Sequence, residues 1–236
     1  MRFFINEPPA DGVFTIGGGD ARHITRSLRL KIGAHIKISD SSGFDYECVI
    51  VEIKDSSVRA KITDISKNVS EPSVRLTLFQ ALPKGAKLDL IVEKCVELGV
   101  YEITPVLTEF CVTRELNEHK SARLNKIAEA AAKQSGRGSV PKVAPLLPLA
   151  QAAERPFDLS LAPYEKETSA RLSDALRGFS GKTAAIFIGP EGGFSPKEIE
   201  LLRRNSAIVT LGRRILRTET APIVAAALFF NETGDL

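Results

Sequence analysis

From residue 74 onward, short apolar runs alternate with segments of helical periodicity, and this alternation constrains the fold most. "VRLTLFQAL" (74–82) reads as a strand. It is followed by "AKLDLIVEKCVELG", which puts Leu88, Ile91, Val92, Cys95 and Leu98 on one helical stripe. Gly99 stands where a helix end needs a left-handed residue. "YEITPVLT" is the next strand, and "EHKSARLNKIAEAAAKQSG" the next helix, closing at Gly136. "FDLSLAPYEK", "TAAIFIGPEGG" and "AIVTLG" are three further strands, and the apolar stretch from Pro222 to Phe230 reads as a buried helix. Strands separated by helices predict an α/β domain with a parallel sheet covered on both faces.

Residues 1 to 68 follow a different pattern. "HIKISD" and "VRAKITDI" alternate apolar and polar side chains, and "YECVIVEI" is almost continuously apolar. Short strands separated by turns such as "SDSSGFD" predict a small β-barrel. "IGGGD" (16–20) reads as a loop, and "SKNVSEPS" (66–73), polar and aperiodic, as the linker to a second domain spanning 74–236.

The totals exclude some functions. With 236 residues, 43% of them hydrophobic, the chain can build a large core. A net charge of +3 does not by itself announce a nucleic-acid partner. Cys48, Cys95 and Cys111 are odd in number and widely spaced, which fits buried thiols in a reducing compartment. No apolar run reaches membrane-spanning length, so a soluble, cytoplasmic protein is expected. His23, His35 and His119 lack metal-ligand spacing, and no metal is expected.

Ligands of an open parallel sheet bind beyond the carboxyl ends of its strands. Three such ends carry unusual loops: "LAPYEK" (161–166), "IGPEGGFS" (188–195) and "LGRRILRTETA" (211–221). Gly189, Gly192 and Gly193 allow close approach of backbone to a ligand, and Pro190 stiffens the turn. "SPKE" then supplies a capping box from Ser195 to Glu198, with Pro196 at the first helical position. Arg217 should be held near the strand-end crevice. Glu219 and Thr220 are open to two readings, capping of the following helix or contact with a ligand. No protein nucleophile is evident, which favours chemistry in which a cofactor carries the reactive group.

"IGPEGGFSPKEI" and "LGRRILRTETA" resemble the signatures of the RsmE family of ribosomal RNA methyltransferases, within the SPOUT superfamily. "LPKGAKLDLIVEKCVELGV", "EAAAKQSGRGSVPKV" and "HITRSLRLKIGAHIKISD" extend the likeness over nearly the whole chain. The resemblance implies a PUA-like RNA-binding β-barrel over 1–68 and a SPOUT α/β domain tied in a deep trefoil knot. It further implies a homodimer that uses S-adenosylmethionine to methylate N3 of a specific uridine in small-subunit (16S) ribosomal RNA, with no membrane partner. Rival readings are another SPOUT activity, such as ribose 2′-hydroxyl methylation, and a non-catalytic RNA-binding or assembly protein.

By that resemblance, Leu161, Ala162 and Pro163 contact the cofactor from the first loop. Ile188, Gly189, Pro190, Glu191, Gly192 and Gly193 do so from the second. Leu211, Gly212, Ile215, Leu216 and Arg217 complete the set. Arg217 faces the reactive side as a catalytic residue, with Glu219 as the nearest candidate proton acceptor. Arg22, His23, Arg26, Arg29 and Lys31 form a basic cluster for RNA, joined by Arg137 between two glycines.

Overall fold

The structure is a computed structural model that describes residues 2–236. The chain divides into two compact units, one of residues 1–71 with 132–140 and one of residues 72–131 with 141–236.

The first unit is a five-stranded sheet built from β1 (Arg2–Phe4), β2 (Val13–Gly17), β3 (His35–Ser39), β4 (Phe44–Ile53) and β5 (Ser57–Lys67). Its order is β1-β3-β4-β5-β2, with β1 parallel to β3 and every other pair antiparallel. Register shifts in β4 at Glu47/Cys48 and Ile50/Glu52 bend the sheet into a half-barrel. The small barrel expected from the strand pattern takes the form of this curled half-barrel, since among the described residues β1 and β2 do not pair. "IGGGD", expected as a loop, is instead the end of β2 and the start of a helix. After Gly17 the chain enters helix α1 (Gly18–Arg22) and a π-helical turn (His23–Ser27). Ala21 and Ile24 from this segment join Phe3, Phe14, Ile36, Ile38 and Ile50 in the core. The Cys48 thiol lies in the same core, pushed up to about 11 by burial with help from Glu47, which suits a structural role.

Arg137 was expected at the RNA, and the structure corrects that expectation. Its side chain is 3% exposed and grips Glu71 through Nη2 (2.6 Å) and Nε (3.2 Å). The Gly138 amide and the Ser139 hydroxyl also donate to Glu71, and Arg2 donates to the Arg137 carbonyl at 2.8 Å. The residue thus ties together segments 66 positions apart. Burial pushes the Glu71 carboxyl up, but the guanidinium, the amide and the hydroxyl outweigh it and hold it below its ordinary 4.5. A depressed carboxylate contributes stability that is complete above its unfolded value and lost as pH falls through the folded one. Glu71→Gln should destabilise this unit by about 3 kcal/mol at pH 7, the low end for a broken buried pair. Urea unfolding should show the difference from wild type shrinking as pH drops below 4.5.

The second unit holds β6 (Arg75–Ala81), β7 (Glu102–Leu107), β8 (Lys142–Val143), β9 (Leu147–Pro148), β10 (Leu159–Pro163), β11 (Thr183–Ile188) and β12 (Ala207–Val209). The pairings are all parallel, in the order β12-β10-β11-β6-β7-β8, with β9 also on β7. The predicted parallel sheet is thereby found. Its helices are α2 (Lys87–Leu98), α3 (Glu118–Ser135, whose residues from 132 onward belong to the first unit), α4 (Leu149–Ala153), α5 (Leu172–Leu176), α6 (Pro196–Leu202) and α7 (Ala221–Thr233). In α2 the predicted stripe is buried through Leu88, Ile91, Val92 and Cys95, and Gly99 closes it at φ 111°. In α7, Ala225, Ala226, Phe229 and Phe230 are buried. Because β12, β10 and β11 are neighbours, their carboxyl-end loops converge. No helix among the described residues is long and apolar enough to cross a membrane.

Candidate active site

The three loops predicted from sequence enclose a cavity of about 560 Å³. Its wall is built in turn from each loop. Pro163 opens it at the end of β10, followed by Tyr164 and Glu165. Ile188, Gly189, Pro190, Glu191, Gly192 and Gly193 continue it from the end of β11. Leu211, Gly212, Ile215, Leu216 and Arg217 close it after β12. Leu161 and Ala162 do not line the cavity: both are fully buried inside β10, between β11 and β12. Of the first loop, Pro163, Tyr164 and Glu165 line the cavity.

Backbone conformation explains why glycines occupy the second loop. The turn from Pro190 to Gly193 closes through a 3.0 Å bond from the Gly193 amide to the Pro190 carbonyl, with Gly193 at φ 70°. A Cβ on Gly193 would lie 3.0 Å from Glu165 Oε1, and one on Gly189 would lie 3.1 Å from the Gly193 backbone. Past the turn, Ser195 caps α6 as predicted: its hydroxyl accepts from the Glu198 amide while the Glu198 carboxylate accepts from the Ser195 amide. The other Glu198 oxygen accepts from the Glu109 amide at 2.7 Å, so the cap also fixes the loop after β7.

The third loop is pinned by a buried residue the sequence reading passed over. Thr218, 5% exposed, donates to the Gly189 carbonyl at 2.8 Å and accepts from Gln80 Nε2 at 3.2 Å. Gln80 lies near the end of β6, so β6, the glycine turn and the arginine loop are joined by one hydrogen-bonded chain. A buried Thr within "RTETA" was visible in the sequence, but its partners lie 29 and 138 residues away.

Charge gathers at one side of the cavity. Lys87, also unanticipated, lies 2.9 Å from Glu191 Oε1 and 3.3 Å from Glu219 Oε2. The hydrogen bond that Lys87 donates to Glu191 raises the Lys87 pKa against the opposing effect of burial, with Glu219 adding to it. Glu191 is lowered in return: burial pushes it up, but Lys87 and nearby amides prevail. The structure places Glu219 and Thr220, both open between capping and ligand contact, in different surroundings. Glu219 belongs to this ionic cluster, whereas Thr220 occupies the cap position of α7 without a side-chain cap bond. Glu219 does not line the cavity. Arg217 does; its guanidinium is 83% exposed and 3.9 Å from Glu219 Oε1. Ile215, expected to give apolar cover, lines the wall yet is 83% exposed.

On the first unit Arg22, His23, Arg26, Arg29 and Lys31 are all exposed along α1, the π-helical turn and the loop that follows. Arg29 sits at φ 52°. They form an accessible basic surface, as a phosphate-binding patch requires.

Comparison with known proteins extends over nearly the whole chain. Residues 70–230 match the family model of an RNA methyltransferase domain, and residues 16–68 that of an RNA methyltransferase PUA domain. The chain is 30% identical to ribosomal RNA small subunit methyltransferase E of Bacillus subtilis, over 97% of this chain and 93% of that one. Against the same protein of Synechocystis identity is 31%, covering 92% and 72%. Among solved structures, ribosomal RNA small subunit methyltransferase E from Neisseria gonorrhoeae, bound to S-adenosyl methionine, superposes with a TM-score of 0.88. Identity there is 30%, over 98% of this chain and 96% of that one. A Legionella pneumophila structure in complex with the bound cofactor SAM gives a TM-score of 0.85 at 27% identity, covering 98% and 96%.

Proposed function

We infer that this chain, which belongs to the RNA methyltransferase family and within it to the ribosomal RNA small subunit methyltransferase E proteins, methylates N3 of one uridine in small-subunit ribosomal RNA. The observation that carries this reading is the convergence of three strand-end loops on one cavity with Arg217 at its wall.

The cavity suits S-adenosylmethionine. Its volume falls within the roughly 300–1,000 Å³ usual for small-molecule sites. Backbone of the glycine turn is open on its inner side, apolar cover comes from Ile188 and Leu216, and Glu165 and Glu191 offer carboxylates to a cationic ligand. When bound, the cofactor supplies a methyl group activated by its sulfonium.

The protein's own residues supply position and charge. Pro163 to Glu165, the glycine turn and the loop 211–217 hold and orient the ligand. Uridine N3 must lose its proton to become nucleophilic, leaving negative charge on the uracil carbonyls. Arg217 stabilises that charge with a guanidinium aimed from the cavity wall, as an oxyanion-hole donor does. Glu219, paired with Lys87 and near Arg217, is read as the partner that orients the arginine rather than as the proton acceptor.

The reading extends to the chain's topology and assembly: a trefoil knot threaded through the loops at the β11 and β12 ends, and a homodimer. Sedimentation at micromolar concentration should give twice the 25.6 kDa of one chain; a monomer alone would contradict the dimer. The basic surface of α1 and the adjoining turn takes the RNA backbone. Arg26→Ala and Arg29→Gly, the latter chosen because glycine tolerates the positive φ, should each raise KM for RNA. Each should also remove about one unit from the slope of log affinity against log salt. Unchanged slopes in both variants would place the RNA elsewhere.

The function itself is tested by methyl transfer to ribosomal RNA lacking the modification. Label found on a ribose 2′-oxygen would assign a different activity within the fold, and cofactor binding without transfer would favour an assembly role.

A further inference from the structure

We propose that Lys87 is a positioning residue: it clamps the glycine turn to the segment carrying Arg217 and thereby fixes the guanidinium at the cavity wall. The inference deepens the methyl-transfer reading and rests on it. Lys87 is the first residue of α2, where the helix dipole disfavours a cation, so local helix energetics give no reason for a lysine there. The reason lies across the fold. Its ammonium lies 2.9 Å from Glu191 in the glycine turn and 3.3 Å from Glu219, whose other oxygen is 3.9 Å from Arg217 Nη1. Glu191 Oε1 also accepts the Lys84 amide at 3.1 Å, which anchors the turn to the loop before α2.

The charged groups of this cluster are Lys87 from α2, Glu191 from the glycine turn, and Arg217 and Glu219 from the segment before α7. Lys87 is the cation that both carboxylates share. Without it Glu191 and Glu219 repel one another; the Thr218 bond to Gly189 keeps the two segments together, but Glu219 shifts and no longer holds Arg217 in place. The cavity's apolar walls and the glycine turn remain, so the loss falls on catalysis more than on ligand binding.

Two variants separate charge from bulk. Lys87→Met keeps most of the stem and removes the cation, whereas Lys87→Arg keeps the cation. Carboxylate resonances of Glu191, followed by ¹³C NMR against pH, report the clamp without any activity measurement. In Lys87→Met, Glu191 should titrate at higher pH than in wild type, and kcat on ribosomal RNA should fall on the order of 10-fold or more, as expected for a misplaced group. Lys87 and Glu191 both line the cavity, so the dissociation constant for S-adenosylmethionine is measured alongside and kcat is read at saturating cofactor; KM for RNA should stay within a few-fold, and Lys87→Arg should restore both the titration and kcat. An unchanged Glu191 titration in Lys87→Met would overturn the proposal. So would an active wild type whose kcat survives that substitution, or a loss that Lys87→Arg fails to rescue. A wild type inactive on RNA but with the titration shift intact would uphold the clamp and count against the methyl-transfer reading instead.

Discussion

Gly193→Val should weaken binding of S-adenosylmethionine by on the order of 100-fold while leaving the protein folded. Gly193 adopts φ 70°, a conformation that a β-branched residue enters only at a cost on the order of 1–3 kcal/mol. Its Cβ would also stand 3.0 and 3.2 Å from the two oxygens of Glu165, on the opposite wall of the cavity. Relief by movement of the turn would break the 3.0 Å bond from the Gly193 amide to Pro190 and shift the backbone offered to the ligand. A cost near 3 kcal/mol corresponds to a loss of on the order of 100-fold in affinity. Calorimetry with S-adenosylmethionine reads this directly, and circular dichroism confirms that the sheet survives. Adding Glu165→Ala to Gly193→Val should not restore wild-type affinity, because it removes the clash but leaves the backbone strain and takes away a carboxylate that lines the cavity. Affinity equal to wild type in the single variant would mean that the ligand does not approach this turn.

Arg217→Ala should lower kcat by on the order of 100-fold or more, the loss expected for one oxyanion-type donor. The side chain is 83% exposed, so its removal leaves no buried hole and threatens stability little. Cofactor affinity should change less than kcat, since the turn 188–193 and Thr218 keep their hydrogen bonds. Single-turnover rates at saturating RNA separate the two effects. If the variant lost only RNA affinity at unchanged kcat, Arg217 would belong with the basic surface of the first unit rather than with the reaction.

The limits of sequence reading follow from the range of the interactions. Ser195, Pro196 and Glu198 announce the cap of α6 within four residues, and the structure shows the complete box. The loops at the strand ends were legible for the same reason, because glycine and proline spacing is local. Lys87 was not legible. A lysine at a helix start looks like surface charge until the sheet order puts β6 beside β11 and brings Glu191 within 2.9 Å. Thr218 was hidden likewise, since Gln80 and Gly189 reach it only through the folded sheet. Arg137 misled because flanking glycines resemble an exposed binding loop; its partner Glu71 lay in a stretch that reads as linker. Helix α1 was not legible because its five residues from Gly18 are too few to show periodicity, yet enough to bury Ala21.

The identity of the methylated atom tests the account most directly. Small-subunit ribosomal RNA lacking the modification is incubated with the protein and isotopically labelled S-adenosylmethionine, digested to nucleosides, and the label placed by mass spectrometry. Primer extension on the same RNA locates the position, because a methyl on N3 blocks Watson–Crick pairing. The account predicts one labelled uridine carrying the methyl on N3, and strongly reduced label with Gly193→Val at limiting cofactor. A methyl on a ribose oxygen or on another base, or no transfer by wild-type protein that binds the cofactor, would contradict it.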